Sequence, residues 1–221
     1  MELKRVVVTG MGAVTPLGNT AGETWRSLLE GKSGAAPFTQ FDATNFKTQF
    51  GCEVKNLDVE KYINRKDARK MDRCTQLALI SAIQGVEDSG LDLEKEDKNR
   101  IGVIKTFQDE VMYYGKHADE GPKFNPYFIP KMISDIAAGQ ISIHFGFHGP
   151  NYVTTSACAS SSHALADAFN LLRLGKADII VAGGAEAAVC DCGVGGFNAM
   201  HALSTRNDDP QHASRPFSAS R

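Results

Sequence analysis

Short β-branched runs alternate with helix-like segments along the chain, and this alternation restricts the fold more than any other feature of the sequence. We predict strands at Lys4–Thr9, Arg100–Ile104, Val153–Thr155 and Asp178–Ala182. The first is a short β-branched run that ends at Gly10 and indicates a buried strand, and the last is a continuous apolar run typical of a fully buried parallel strand. Strands that alternate with helices favour a layered α/β fold.

Four segments carry the spacing of apolar residues or the capping residues that are typical of helices. We predict helices from Thr20 to about Glu30, from Asp72 to Ser89, from about Pro130, and from Ser160 to Leu174. Thr20 followed by Glu23 matches a capping box. Gly90 and Gly175 follow the second and fourth helices, where left-handed C-terminal caps occur.

Length and composition indicate a globular protein. The chain has 221 residues, of which 42% are hydrophobic and 23% charged, and these values suit one large domain with a sizeable core. The net charge of -2 gives no basic field for nucleic acid. Because the longest apolar run, ADIIVAGGAEAAV, is too short for a bilayer and no signal-peptide core is present, we expect a cytoplasmic protein without membrane association.

The five cysteines are odd in number and irregular in spacing, which favours reduced thiols over a disulfide framework. Cys190 and Cys192 form a C-x-C pair without the second pair of ligands that a zinc site requires. We therefore interpret them as turn residues near Gly193, and we expect neither a metal nor a cofactor.

The stretch TTSACASSSHAL places Cys158 after a predicted strand and before a predicted helix, as in a nucleophile elbow. Free backbone N–H groups at the start of a helix lower the pKa of a thiol and favour the reactive thiolate. A buried, inert cysteine fits the same local pattern. The residues alone leave both interpretations open.

No histidine is an obvious base for this thiol. His163 follows Cys158 by five residues, which is about 140° around a helix axis, so the two side chains do not share a face. His144, His148 and His201 could reach Cys158 only through the fold.

The glycine-rich start, VVVTGMGAVTPLG, has the first two glycines of a dinucleotide fingerprint but not the third. Thr15 stands at the third position, and Pro16 interrupts the helix that would bind a pyrophosphate. The sequence therefore predicts no dinucleotide site here.

Five motifs together resemble the β-ketoacyl-[acyl-carrier-protein] synthases, most nearly the synthase II group of bacterial fatty-acid synthesis. They are VVVTGMGAVTPLG, FNPYFIPKMISDIAAGQIS, GPNYVTTSACASSSHAL, GKADIIVAGGAEAA and GVGGFNAMHALSTRNDDPQHASRPF. They cover nearly the whole chain in the order and at the spacing of that family.

The resemblance implies a thiolase-like fold of two similar α/β halves in five layers, α-β-α-β-α, with residues 1–221 as the N-terminal half. Cys158 aligns with the family's active-site nucleophile, and its backbone N–H with one donor of the oxyanion hole. Phe197 matches a position that lines the acyl pocket. The strand from Tyr152 to Ser156 resembles the one that pairs across the family's homodimer.

The implied reaction is the decarboxylating condensation of fatty-acid elongation. Cys158 accepts an acyl group from an acyl-carrier protein, and malonyl-carrier protein then loses CO₂ and attacks that group. The family draws two histidines and a lysine for this step from its C-terminal half, so we expect the sequence ending at Arg221 to be incomplete for condensation. The helix layer that the absent half would cover is then exposed, and we expect self-association through it.

A second departure from the family follows Ile104, where a glycine-rich turn that carries an acyl-pocket residue is missing. The acyl-chain preference therefore stays open. Two other functions also stay open: a non-catalytic, chain-length-factor-like partner subunit of a heterodimer, which usually lacks the cysteine, and a superfamily member that acts on coenzyme A thioesters.

Overall fold

The computed structural model describes residues 3–104 and 126–219. It divides into two compact units, Met1–Gly12 with Asp58–Glu186 and Ala13–Leu57 with Ala187–Arg221. The segment after Ile104, where we expect the family's glycine-rich turn to be missing, lies outside the described residues.

Helices and strands of the described ranges follow the chain in a mixed α/β order. The strands are β1 Ala35–Pro37, β2 Phe50–Cys52, β3 Ile101–Ile104, β4 Asn151–Tyr152 and β5 Ile179–Ala182. The helices are α1 Ala21–Leu29, α2 Arg65–Ala68, α3 Arg73–Ser89, α4 Phe128–Met132, α5 Ile136–Phe145, α6 Ser160–Arg173 and α7 Asp191–Ala199. Short 3₁₀ turns lie at Lys98–Arg100, Ala157–Ala159 and Pro210–His212.

A parallel sheet with the order β4-β3-β5 forms the centre of the first unit. Ile104 pairs with Tyr152 on one side and with Ala182 on the other, so all three strands end at one edge of the sheet. Every residue of β3 is buried. β5 is only half-buried, and the prediction of a fully buried strand is wrong there, because one described strand lies beside β5 rather than two.

Helix α3 supplies much of the core of the first unit, and its predicted limits are confirmed. The side chain of Asp72 accepts a hydrogen bond from the Thr75 N–H at the start, and Gly90 ends the helix with a left-handed φ of 65°. Leu79 and Ile80 are nearly inaccessible to solvent, and α3 packs against α5.

The buried strand predicted at Lys4–Thr9 is wrong. Val8 is 81% exposed, and the segment makes no ladder with a described strand. The Lys4 N–H instead donates to the carbonyl of Arg173. The chain then passes against α3, where a Cβ added at Gly12 would collide with the Ser81 carbonyl oxygen. The β-branched run therefore pairs with no described strand, and the glycines that follow it, Gly10 and Gly12, lie against α3.

Two other predicted elements are shifted. The helix expected from about Pro130 is two helices, α4 and α5, because the extended backbone of Ile133 interrupts it. The strand expected at Val153–Thr155 begins two residues earlier, at Asn151, and its ladder with described residues ends at Tyr152.

In the second unit, α1 begins as the capping pattern predicts. The Thr20 hydroxyl accepts a hydrogen bond from the Glu23 N–H at 3.2 Å, while the Glu23 carboxylate accepts from the Asn19 N–H at 2.8 Å. The strands β1 and β2 pair antiparallel. The buried Thr48 hydroxyl donates a hydrogen bond to the Ser204 carbonyl oxygen at 2.7 Å, so the segment before β2 is bonded to the segment after α7.

Asp178 joins the N-terminal segment to the sheet and makes stability depend on pH. Its carboxylate accepts from Arg100 Nε and Lys4 Nζ, each at 2.8 Å, and hydrogen bonds from Arg100 and then Lys4 hold its pKa well below the usual range. A carboxyl whose pKa is lowered by folding stabilises the protein above its unfolded pKa of about 3.9, and that contribution is lost as the pH falls through the folded pKa.

We expect Asp178→Asn to lower the free energy of unfolding at pH 7 by at most about 1 kcal/mol, because the ion pairs are partly exposed. The melting temperature would then fall by about 2–4 °C at most. The difference from the unaltered chain should narrow as the pH falls below about 4. Thermal melts at several pH values measure this, with Asp208→Asn, whose side chain is 76% exposed, as the control. A difference that does not change with pH contradicts the assignment.

Candidate active site at the start of helix α6

The chain turns sharply between β4 and α6, as the local pattern around Cys158 predicts. Ala157 has a φ of 51°, in the left-handed region that non-glycine residues rarely adopt. Such a residue costs about 1–3 kcal/mol and persists where its surroundings fix it. The 3₁₀ turn Ala157–Ala159 then leads directly into α6. The thiol therefore lies between strand and helix, on a backbone that its neighbours must hold.

Ser160, the first residue of α6, holds this turn in place through hydrogen bonds. Its side chain is buried, with 3% of the residue exposed. Its hydroxyl accepts a hydrogen bond from the Ser156 N–H at 2.7 Å and donates to the Ala157 carbonyl at 2.8 Å. The Thr154 hydroxyl donates to the Ser160 carbonyl at 2.9 Å. The Ser156 N–H and the Ala157 carbonyl are thus both hydrogen-bonded to one buried side chain.

A second contact joins the turn to α6. Ser156 Oγ lies 2.5 Å from His163 Nδ1, and the histidine is one helical turn beyond Ser160. The sequence spacing assigns no role to His163, because on a helix this side chain does not share a face with Cys158, and the contact is with Ser156 instead.

Cys158 is exposed. No described residue accepts a hydrogen bond from its backbone N–H. An unpaired N–H beside a thiol, at the start of a helix, is a donor that can stabilise negative charge on a bound carbonyl oxygen. The geometry therefore suits a nucleophile that attacks a carbonyl group.

The position of α6 on the sheet brings the thiol to the edge where the strands end. Ala164 and Ala168 pack on Ile104 at the end of β3, with Ala182 at the end of β5 against the same cluster. Ligands of open α/β sheets bind outside the carboxyl ends of the strands. Cys158, in the 3₁₀ turn that leads into α6, lies at this end of the sheet.

The loop after β5 passes close to the same turn of the helix. A Cβ added at Gly184 would collide with the side chain of Ser161. Only glycine allows this approach, so the loop lies directly against Ser161 in the first turn of α6.

Large apolar side chains are exposed on the outer face of α6. Leu165 is 56% exposed and Phe169 is 43% exposed.

On the edge strand β4, the Tyr152 hydroxyl donates a weak hydrogen bond to the Asp167 carboxylate at 3.4 Å. Burial raises the pKa of Tyr152, and the nearby Asp167 carboxylate raises it further.

The other predicted site residues are placed elsewhere. Phe197 lies on α7, 47% exposed, and belongs to the second unit, whereas Cys158 belongs to the first. Cys190 is the N-cap residue of α7, and Cys192 is exposed in its first turn.

The candidate bases are similarly scattered. His144 is on α5, where its ring packs edge-on against Phe145. His148 follows α5, and its N–H donates to the Lys98 carbonyl. His201 is in the second unit.

Within the described ranges, no helix has the length and apolar character needed to cross a membrane.

Solved structures share this architecture. A β-ketoacyl synthase from Burkholderia phymatum aligns with a TM-score of 0.86 and 28% identity, over 100% of this chain and 55% of that chain. The ishigamide ketosynthase/chain length factor aligns with a TM-score of 0.84 and 25% identity, over 91% of this chain and 52% of that chain. These likenesses place the chain in the thiolase-like class of α/β folds, as the resemblance predicted.

The sequence profile of the β-ketoacyl synthase N-terminal domain matches residues 3–220. The chain therefore belongs to the β-ketoacyl synthase family. It is 44% identical to the 3-oxoacyl-[acyl-carrier-protein] synthase 2 of Vibrio cholerae over 100% of this chain, and 39% identical to that of Staphylococcus aureus over 99% of it. The chain spans about half the length of these curated relatives, 55% and 54% respectively.

Proposed function

We propose that this chain accepts the acyl group in a 3-oxoacyl-[acyl-carrier-protein] synthase reaction, with Cys158 as the nucleophile. The observation that carries the proposal is an exposed thiol at the carboxyl edge of a parallel sheet, with a backbone N–H that no described residue accepts. The similarity to curated synthases over the whole chain supports the choice of reaction.

In the first step, the Cys158 thiolate attacks the carbonyl carbon of an acyl-carrier-protein thioester. A new C–S bond forms to Sγ, the bond to the carrier sulfur breaks, and the carrier thiolate leaves and takes up a proton. The negative oxygen of the tetrahedral intermediate accepts a hydrogen bond from the Cys158 N–H. The product is an acyl-cysteine.

In the second step, malonyl-carrier protein loses CO₂, and the resulting carbanion attacks the acyl carbon while Sγ leaves. In the family that the chain resembles, two histidines and a lysine of the C-terminal half carry out this step. Because the chain spans about half the length of those relatives, we assign only the acylation to the residues described above.

The partners in this proposal are an acyl-carrier protein, malonyl-carrier protein and a second copy of the chain, in the cytoplasm. The strand β4 is at the edge of the described sheet, and an edge strand has free backbone groups that a partner strand can pair with. The segment Tyr152–Ser156 would then meet its own copy in a homodimer. Phe197 would line the acyl pocket.

The test is acylation of the 221-residue chain by an octanoyl-carrier-protein thioester. We expect the intact mass to increase by one octanoyl group, and the peptide that contains Cys158 to carry it. A chain that stays unmodified, or that carries the label on Cys52 or Cys192, which are also exposed, contradicts the proposal.

A non-catalytic, chain-length-factor-like subunit is the second candidate. The similarity to a ketosynthase/chain length factor structure favours it, whereas the retained Cys158 does not. This function predicts that the chain copurifies with a complete synthase and stays unacylated in that complex.

A further inference from the structure

Ser156 is attached to α6 at two atoms. Its N–H donates to Ser160 Oγ at 2.7 Å, and its Oγ lies 2.5 Å from His163 Nδ1. Ser160 and His163 are three residues apart, so they lie on the same side of the helix and both face the turn. The structure thus clamps the residue before Ala157 against the first two turns of α6.

This clamp acts on the strained part of the turn. Ala157, with its φ of 51°, lies between Ser156 and Cys158. If Ser156 moves away from α6, the left-handed conformation loses the contacts that hold it, and it relaxes to one that costs less. The direction of the Cys158 N–H and Sγ then changes, because both follow Ala157 directly.

We propose that His163, acting through Ser156, is a positioning residue for Cys158. A positioning role in acyl transfer rests on the proposed function, whereas the contacts of His163 and Ser156 do not depend on it. Depending on the tautomer of the ring, His163 Nδ1 either accepts a hydrogen bond from the Ser156 hydroxyl or donates one to the hydroxyl oxygen. The contact therefore needs a polar atom at the Nδ1 position and nothing at Nε2.

That requirement separates two conservative replacements. The side-chain amide of asparagine can place a polar atom near the Nδ1 position, whereas the longer glutamine places it near Nε2. His163→Asn should keep the contact with Ser156, and His163→Gln should lose it. If the His163 side chain only covered the helix surface, the asparagine and glutamine variants would behave alike.

The experiment measures the rate at which iodoacetamide alkylates Cys158 in the full chain, followed by mass spectrometry of the Cys158 peptide. We expect Ser156→Ala, His163→Ala and His163→Gln each to slow alkylation about five- to tenfold, the effect of losing one hydrogen bond. His163→Asn should stay within about twofold of the unaltered chain. The double variant of Ser156→Ala and His163→Ala should be no slower than the slower single variant, because both remove one contact.

Ser162→Ala is the matched control, since Ser162 is an exposed serine of the same helical turn, and its rate should be unchanged. Circular dichroism establishes that each variant is folded. If the alanine variants unfold, the comparison of asparagine with glutamine decides. Equal rates for those two variants, or multiplied losses in the double variant, overturn the proposal.

Acylation by the octanoyl-carrier-protein thioester, measured on the same proteins, separates this inference from the proposed function. If the unaltered chain is alkylated as expected but never acylated, the proposed function fails and the positioning role stands. If acylation occurs and His163→Gln leaves both rates unchanged, the positioning role fails and the proposed function stands.

Discussion

Replacing Cys158 with alanine is expected to abolish acylation by an acyl-carrier-protein thioester, with a loss of at least about 10³-fold in rate. The effect is large because no other group can form the covalent intermediate at this position. Cys158→Ser keeps the shape of the site but places a hydroxyl at the end of the turn, and a hydroxyl without an adjacent base is a poor nucleophile. We therefore expect the serine variant to be as inactive as the alanine variant. Stopped incubations followed by intact-mass measurement give the rates.

Cys192 provides the control for this prediction, because it is also an exposed cysteine in the first turn of a helix. If exposure at a helix start were enough for reaction, Cys192→Ala would remove as much label as Cys158→Ala. We expect Cys192→Ala to leave acylation unchanged, since its neighbours do not form the turn that surrounds Cys158. Equal labelling of the two thiols contradicts a special role for Cys158.

The local elements could be predicted from sequence where the signal lies in neighbouring residues. Asp72 and Gly90 give the ends of α3 directly, because capping depends on side chains within one turn of the helix. The end of α6 follows in the same way from Gly175, which has a φ of 67°, whereas its start at Ser160 has no side-chain cap. The order of strand, turn and helix around Cys158 also follows from local composition.

Burial and strand pairing could not be predicted in this way. The run at Lys4–Thr9 has the β-branched residues of a strand, but whether another strand lies beside it depends on the whole fold. Ile179–Ala182 has the composition of a central strand and is an edge strand of the described sheet. Neither difference leaves a trace in the spacing of apolar residues.

The sequence indicates Cys158 as a candidate nucleophile, a role that stays a prediction, but it does not indicate the contacts that support the turn around it. Cys158 is visible from the sequence because small residues surround it between a strand and a helix. The contact between Ser156 and His163 spans a left-handed residue, and no pattern predicts that φ at an alanine. A usable signal exists all the same, since Ser160 and His163 have the i, i+3 spacing that aims two polar side chains at one point. Phe197 came from the family resemblance alone, and its role stays a prediction.

Ile104→Ala is expected to destabilise the chain by about 2–5 kcal/mol, the usual cost of a large-to-small change in a core. Ile104 is fully buried and packs on Ala164 and Ala168 of α6. The two alanines opposite Ile104 are too short to fill the cavity, and Leu171 and Ile180 already pack against the same cluster, so we expect a cost within this range. Because α6 carries Cys158 at its start, loss of this packing also loosens the support of the thiol.

Urea denaturation monitored by circular dichroism measures the change in free energy of unfolding. Ile143→Ala is the matched control, because the same atoms are removed from a side chain that is 74% exposed on α5. Its effect should stay within about 0.5 kcal/mol. If the two variants lose the same stability, Ile104 is not the residue on which α6 packs. A large loss for Ile104→Ala with a normal Cys158 alkylation rate in the folded protein would show instead that the turn is held by Ser160 and His163 without help from the core.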